Sequence, residues 1–159
     1  HRRPNPDYLP PVELLRRHSQ IGPYTIEAQP PSLELHDLHA VGLSTLRRTI
    51  HNEATAGSVL PQDQIDDFLE AISEIASNAL VHGTGQVSVR AWVTQQRLVC
   101  TITDHGSGFD DPLAGFLPAP LNGLPVHGAG LWLARNFSDS LDFSTTADGF
   151  TARIACWTN

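Results

Sequence analysis

Apolar residues recur at helical spacing in two stretches of the chain. Val41, Leu43, Leu46 and Ile50 fall on one face of a helix predicted over residues 38–56, with Asp37 at its cap position. Ile65, Phe68, Leu69, Ile72, Ala76 and Ala79 form a longer stripe over residues 61–82, with Pro61 in the first turn and Gly83 as the stop. Strand-like alternation surrounds these helices. Residues 32–36 read as a short edge strand. Val87, Val89, Ala91 and Val93 line one face of a strand over 86–93, and a turn at 94–97 leads to a second strand over 98–103. A Gly- and Pro-rich loop spans 104–127, a third helix 128–137, and two last strands, 141–145 and 150–157, flank a turn at Asp148-Gly149. The mixture predicts an α+β fold, a two-layer sandwich with its helices on one face of the sheet.

Residues 1–31 differ from the rest. Seven prolines crowd them, and apart from a short helix around 12–18 they read as a linker or an arm lying on the domain, which then spans 32–159. The chain opens at His1 without an initiator methionine, as expected of a piece of a longer or processed protein.

Composition narrows the chemistry. The 159 residues are 40% hydrophobic and 17% charged, enough for one domain with a real core. A net charge of -7, with no basic cluster longer than an Arg pair, argues against nucleic acid as a partner. All ten basic residues other than histidine are Arg. The absence of Lys removes P-loop enzymes, Schiff-base enzymes and kinases of the eukaryotic type. Cys100 and Cys156 fall in strand-like segments and are expected to be reduced core thiols. No signal peptide and no run of ~18 apolar residues is present, so no membrane contact and a cytoplasmic location are expected.

Three short motifs carry candidate chemistry. Glu74, Asn78 and His82 are spaced four apart and share one helical face, a pattern that a solvated face would also produce. Asp104-His105-Gly106-Ser107-Gly108 ends a hydrophobic strand. There a carboxylate can accept from an exocyclic amine, and glycines let backbone approach a ligand. His127-Gly128-Ala129-Gly130-Leu131 opens a helix, whose unpaired N–H groups and dipole favour phosphate. Each also has a plain reading as a turn or cap. His82, His105 and His127 each adjoin a motif and could meet as a metal trio, although packing for His82 and solvent for the others is the simpler expectation. The His36-x-x-His39 pair is read as incidental.

In this order the motifs resemble the N, G1 and G2 boxes of the GHKL (Bergerat-fold) ATPase superfamily. Gly149-Phe150-Thr151 approximates the Gly-Thr of its final hairpin, with one residue intervening. The resemblance covers roughly residues 33–157. Two helices before the first long strand, and the His-Gly after the N box, are most similar to the anti-sigma-factor serine/threonine kinases. The proline-rich start resembles the junction in anti-sigma proteins that carry an upstream sensory domain. The resemblance implies a histidine-kinase-like ATPase sandwich that uses ATP and Mg²⁺. It implies Glu74 as general base, Asn78 as Mg²⁺ ligand and Asp104 as the acceptor for the adenine amine. It further implies Gly106 and Gly108 in the pocket wall, Gly128, Gly130 and Leu131 on the phosphates, and Thr151 in the ATP site. Residues 109–126 would be a lid that orders with nucleotide. Either Arg47 or Arg48 would face a partner, and the implied partners are a sigma factor, an anti-anti-sigma (STAS-like) protein and a second copy of the chain. Kinase turnover, ATP-dependent binding without turnover, and pure docking remain open, with Glu74 favouring the first.

Overall fold

The protein is described by a computed structural model over residues 25–108, 115–116 and 129–158. Strands β1 (Leu33–Leu35), β2 (Ser88–Val93), β3 (Arg97–Asp104), β4 (Ser140–Thr146) and β5 (Gly149–Trp157) form one sheet in the order β1-β2-β3-β5-β4, antiparallel at every step. Helices α1 (Leu43–Gly57), α2 (Gln62–His82) and α3 (Ala129–Asn136) cover one face. This is the expected two-layer α+β sandwich. No helix among the described residues is long and apolar enough to cross a membrane.

Strand parity separates the faces. Leu98, Cys100 and Ile102 of β3 and Ala152, Ile154 and Cys156 of β5 point to the helices, where they meet Leu46, Ile50 and Ala54 of α1 and Phe68, Ile72 and Ala76 of α2. The stripe on α2 is buried as its spacing requires, and each large side chain there contributes roughly 1.5–3 kcal/mol by leaving water. Cys100 and Cys156 are buried free thiols on this inner face. Burial raises both, Cys156 to about 12.

The outer face carries Trp92, Val99 and Ala155, with Ile26 and Trp157 packed against them. Ile26 belongs to a 3₁₀ turn, Thr25–Ala28, that lies on this face. Glu27 of the turn forms a bidentate ion pair with Arg153 of β5, and both side chains are under 10% exposed. The Trp92 indole N–H donates to Gln29 O at 2.9 Å.

Three local expectations are corrected. Asp37 does not cap the first helix; a 3₁₀ turn, Ala40–Gly42, precedes α1 without a side-chain cap, and Asp37 sits 3.2 Å from His39 instead. The tighter turn shifts the phase of its residues, so Val41 is 89% exposed and Leu38 is buried in its stead. Pro61 stands at the N-cap of α2, one residue before its first turn. Gly83 ends α2 as expected, in extended backbone (φ -71°, ψ 175°).

Candidate nucleotide-binding site

Helix α2 brings the first motif to the inner face near one end of the sheet. Glu74 and Asn78 lie one turn apart and half-buried, and the first turn of α3 comes down on both. The approach at Gly130 is close. A Cβ there would stand 2.6 Å from Glu74 Oε2 and 3.3 Å from Asn78 Nδ2. Helix α3 thus directs its N-terminal backbone toward a carboxylate and an amide. Such an end favours negative charge, and the amide oxygen and carboxylate are hard donors suited to Mg²⁺ beside phosphate oxygens. Among the described residues no cluster of three His, Cys, Asp or Glu could hold a metal without such help.

The second motif closes the same end. Asp104 is the last residue of β3, follows the inward parity of Ile102, and is 6% exposed. Its Oδ1 accepts from Gly106 N–H at 2.6 Å, with the Thr84 amide at 3.5 Å. His105 N–H donates to Thr84 O at 2.7 Å, so the loop after α2 is tied to the loop after β3. Gly108 adopts φ +72° with its backbone packed on the Phe150 ring, which stacks on Phe143 with centroids 5.6 Å apart. Phe150 is the register partner of Asp104.

The structure therefore unites Glu74, Asn78, Asp104, Gly106, Gly108, Gly130 and Leu131 at one end of the layer between sheet and helices. It does not bring Thr151 there. Thr151 pairs with Thr103 on the outer face, and their hydroxyls lie 2.8 Å apart. Parity explains the miss: Ala152, Ile154 and Cys156 point inward, so Thr151 points outward. Phe150 takes the inward position instead, and the same parity could have found it. Gly128 and His127 lie outside the described residues, as does the predicted lid except for Gly115 and Phe116. The Phe116 ring lies 3.9 Å from the Arg135 guanidinium of α3. A separate cleft of about 430 Å³ beside Trp132, Arg135 and Asp142 shares no residue with this site.

The two candidate partner-facing arginines have different surroundings. Arg47 donates to Ser73 Oγ at 3.0 Å and pairs with Glu70 at 2.5 Å, which fastens α1 to α2 one residue before Glu74. Arg48 is exposed and makes no ion pair with any described residue.

Known proteins resemble this chain in sequence and fold. Over 90 residues the chain is 36% identical to the serine-protein kinase RsbW of Bacillus licheniformis, covering 50% of this chain and 56% of that protein. It is 24% identical over 90 residues to the anti-sigma F factor of a Thermoanaerobacter species, covering 53% and 63%. The chain thus spans somewhat over half the length of these curated relatives. Among solved structures, the RsbU and RsbW domains of a Mycobacterium tuberculosis protein superpose with a TM-score of 0.55 at 20% identity, over 81% of this chain and 32% of theirs, a likeness of fold. The family described as the histidine kinase-like ATPase domain matches residues 38–156, three quarters of the chain, and the protein belongs to that family.

Proposed function

We propose that this domain binds ATP with Mg²⁺, transfers the γ-phosphoryl group to a serine or threonine of an anti-anti-sigma protein, and binds a sigma factor. The observation that carries the reading is the meeting of Glu74 and Asn78 with the Gly130 turn of α3. It sets a carboxylate and an amide side chain beside a helix N-terminus. Two relatives whose names are serine-protein kinase and anti-sigma factor support the choice of reaction and partners.

In this reading Asn78 would hold Mg²⁺ through its amide oxygen, where the metal would supply charge neutralisation to the phosphates. The backbone N–H groups of Gly130 and Leu131 cradle the phosphates. Asp104 Oδ2 accepts from the adenine amine, since Oδ1 is already taken by the Gly106 amide. Gly106 and Gly108 shape the adjoining wall. The partner hydroxyl oxygen attacks the γ-phosphorus, its proton passes to the Glu74 carboxylate, and the bond to the bridging oxygen breaks to release ADP. Arg48, open on α1, meets the partner; Arg47 keeps α1 in register with the helix that carries Glu74.

The test uses γ-labelled ATP, candidate antagonist proteins and three forms of the chain. Glu74→Ala keeps nucleotide affinity close to wild type and loses phosphotransfer by ~10²-fold or more, the weight of a general base. Asn78→Ala damages both. A Glu74→Ala protein that phosphorylates at the wild-type rate removes Glu74 as base. A wild type that labels no antagonist but binds a sigma factor more tightly with ATP is a nucleotide-dependent binding module and not a kinase.

A further inference from the structure

We infer that Gly83, the residue that ends α2, positions the Asp104 carboxylate and thereby sets selectivity for a purine bearing a 6-amino group; this rests on the reading of Asp104 as the base acceptor. The Asp104 carboxylate lies between two glycines from different elements. On one side Gly106 approaches Oδ1, and a Cβ there would stand 2.7 Å away. On the other side a Cβ at Gly83 would stand 2.3 Å from the Ala79 carbonyl oxygen of its own helix, 2.7 Å from Asp104 Cγ and 2.9 Å from Oδ2. No van der Waals contact tolerates that spacing.

Backbone conformation does not demand glycine at 83. Its φ of -71° and ψ of 175° suit any residue, so the need is one of space. The same absent Cβ lets the Gly83 N–H close the last hydrogen bond of α2, to Ala79 O at 2.9 Å, while the carboxylate packs against its Cα. A methyl at position 83 meets the Ala79 carbonyl and the carboxylate together, so the last turn of α2 and the Asp104 side chain must give, on the side of Oδ2, the oxygen left open after Gly106 has taken Oδ1. Their relative shift removes an acceptor aligned for an exocyclic amine. The α3 backbone proposed for the phosphates makes none of these contacts. The helix that carries Asn78 therefore also builds, five residues later, the wall of the base acceptor.

The experiment compares ATP with purine riboside triphosphate, which lacks only the 6-amino group, in calorimetric binding to the full chain, Gly83→Ala and Asp104→Asn. The wild type prefers ATP by about ten-fold or more, the strength of one hydrogen bond to a charged acceptor. Gly83→Ala collapses that preference toward unity, while affinity for purine riboside triphosphate stays within about two-fold. In the Asp104→Asn background Gly83→Ala changes the preference no further. A Gly83→Ala protein that weakens both nucleotides equally, or that keeps the wild-type preference, overturns the inference. A wild type with no preference between the nucleotides instead overturns the assignment of Asp104. Should Gly83→Ala fail to fold, the wild type still decides. The amide resonances of Gly83 and Thr84 shift with ATP well beyond their shift with purine riboside triphosphate, and equal shifts contradict the role.

Discussion

The inner face of the sheet is covered by three helices and holds most of the buried side chains, among them Val89, Cys100, Ile102 and Ile154. Among the described residues the outer face is covered by one 3₁₀ turn and buries Trp92, Val99 and Ala155 beside an ion pair. The inner face relies on area removed from water, which is non-directional and spread over many residues. The outer face relies on few contacts of fixed geometry: the Glu27–Arg153 fork and the indole hydrogen bond to Gln29. The proposed nucleotide site uses the inner arrangement, where Asp104 and Asn78 come from a strand and a helix locked by the same core. Thr151 shows the cost of being on the other side: two residues from Arg153 and adjacent to Phe150, it is still cut off from the site by the sheet.

Substitutions on the two faces should separate by size. Ile72→Ala, at a fully buried position of α2, is expected to lose about 3–4 kcal/mol in urea denaturation, transfer and cavity terms together. A loss under about 1 kcal/mol would mean that the helix layer is loosely packed. Glu27→Gln is expected to lose about 2–3 kcal/mol. Breaking a buried pair costs ~3–5 kcal/mol where the surviving charge has no alternative, but Asp142 is the cross-strand neighbour of Arg153 on the same face. Replacing both partners, Glu27→Met with Arg153→Met, should recover most of that loss. If the double variant is as unstable as the sum of the singles, the pair is not the fastening of the turn.

How much of this was readable before the structure follows the same division. Helix α2 and strands β2, β3 and β5 were legible because their inner residues keep a strict period, and the order of the three motifs along them placed Glu74, Asn78 and Asp104 together. The outer face was not legible. Its cover lies in a Pro-rich stretch without periodicity, and Glu27 and Arg153 are 126 residues apart. Trp92 was the one apolar residue out of phase in its strand and was the available clue. Gly83 reads in sequence as a helix stop, and only packing reveals the Asp104 carboxylate against it. Arg47 and Arg48 are adjacent in sequence and differ only in what α2 offers them. Val41 was misassigned because periodicity assumes 3.6 residues per turn where the chain takes a 3₁₀ turn. Leu38→Ala should therefore lose about 2 kcal/mol or more, while Val41→Ser stays within about 0.5 kcal/mol. Equal effects of the two would restore the original phase.

The smallest expected effect is the sharpest test, because the two faces carry different reporters. Both cysteines lie inward, and Trp92 and Trp157 lie outward. A thiol reagent needs a thiolate and access. In the folded chain burial lifts Cys156 from 9.0 to about 12 and raises Cys100 as well, so at pH 8 both are protonated and shielded. The sign follows: these thiols favour the folded state fully below pH 9, and that contribution falls as pH rises from 9 toward 12, where unfolded thiols ionise first. In a Trp132→Phe background, Glu27→Gln should red-shift and quench the emission of the outer tryptophans as the 3₁₀ turn loosens. The rate of thiol labelling at pH 8 in native buffer should stay within about three-fold of the parent once the change in global stability is taken into account. If labelling accelerates in step with the tryptophan change beyond what that stability change predicts, the outer turn and the helix layer open as one unit, and the two faces are not independent.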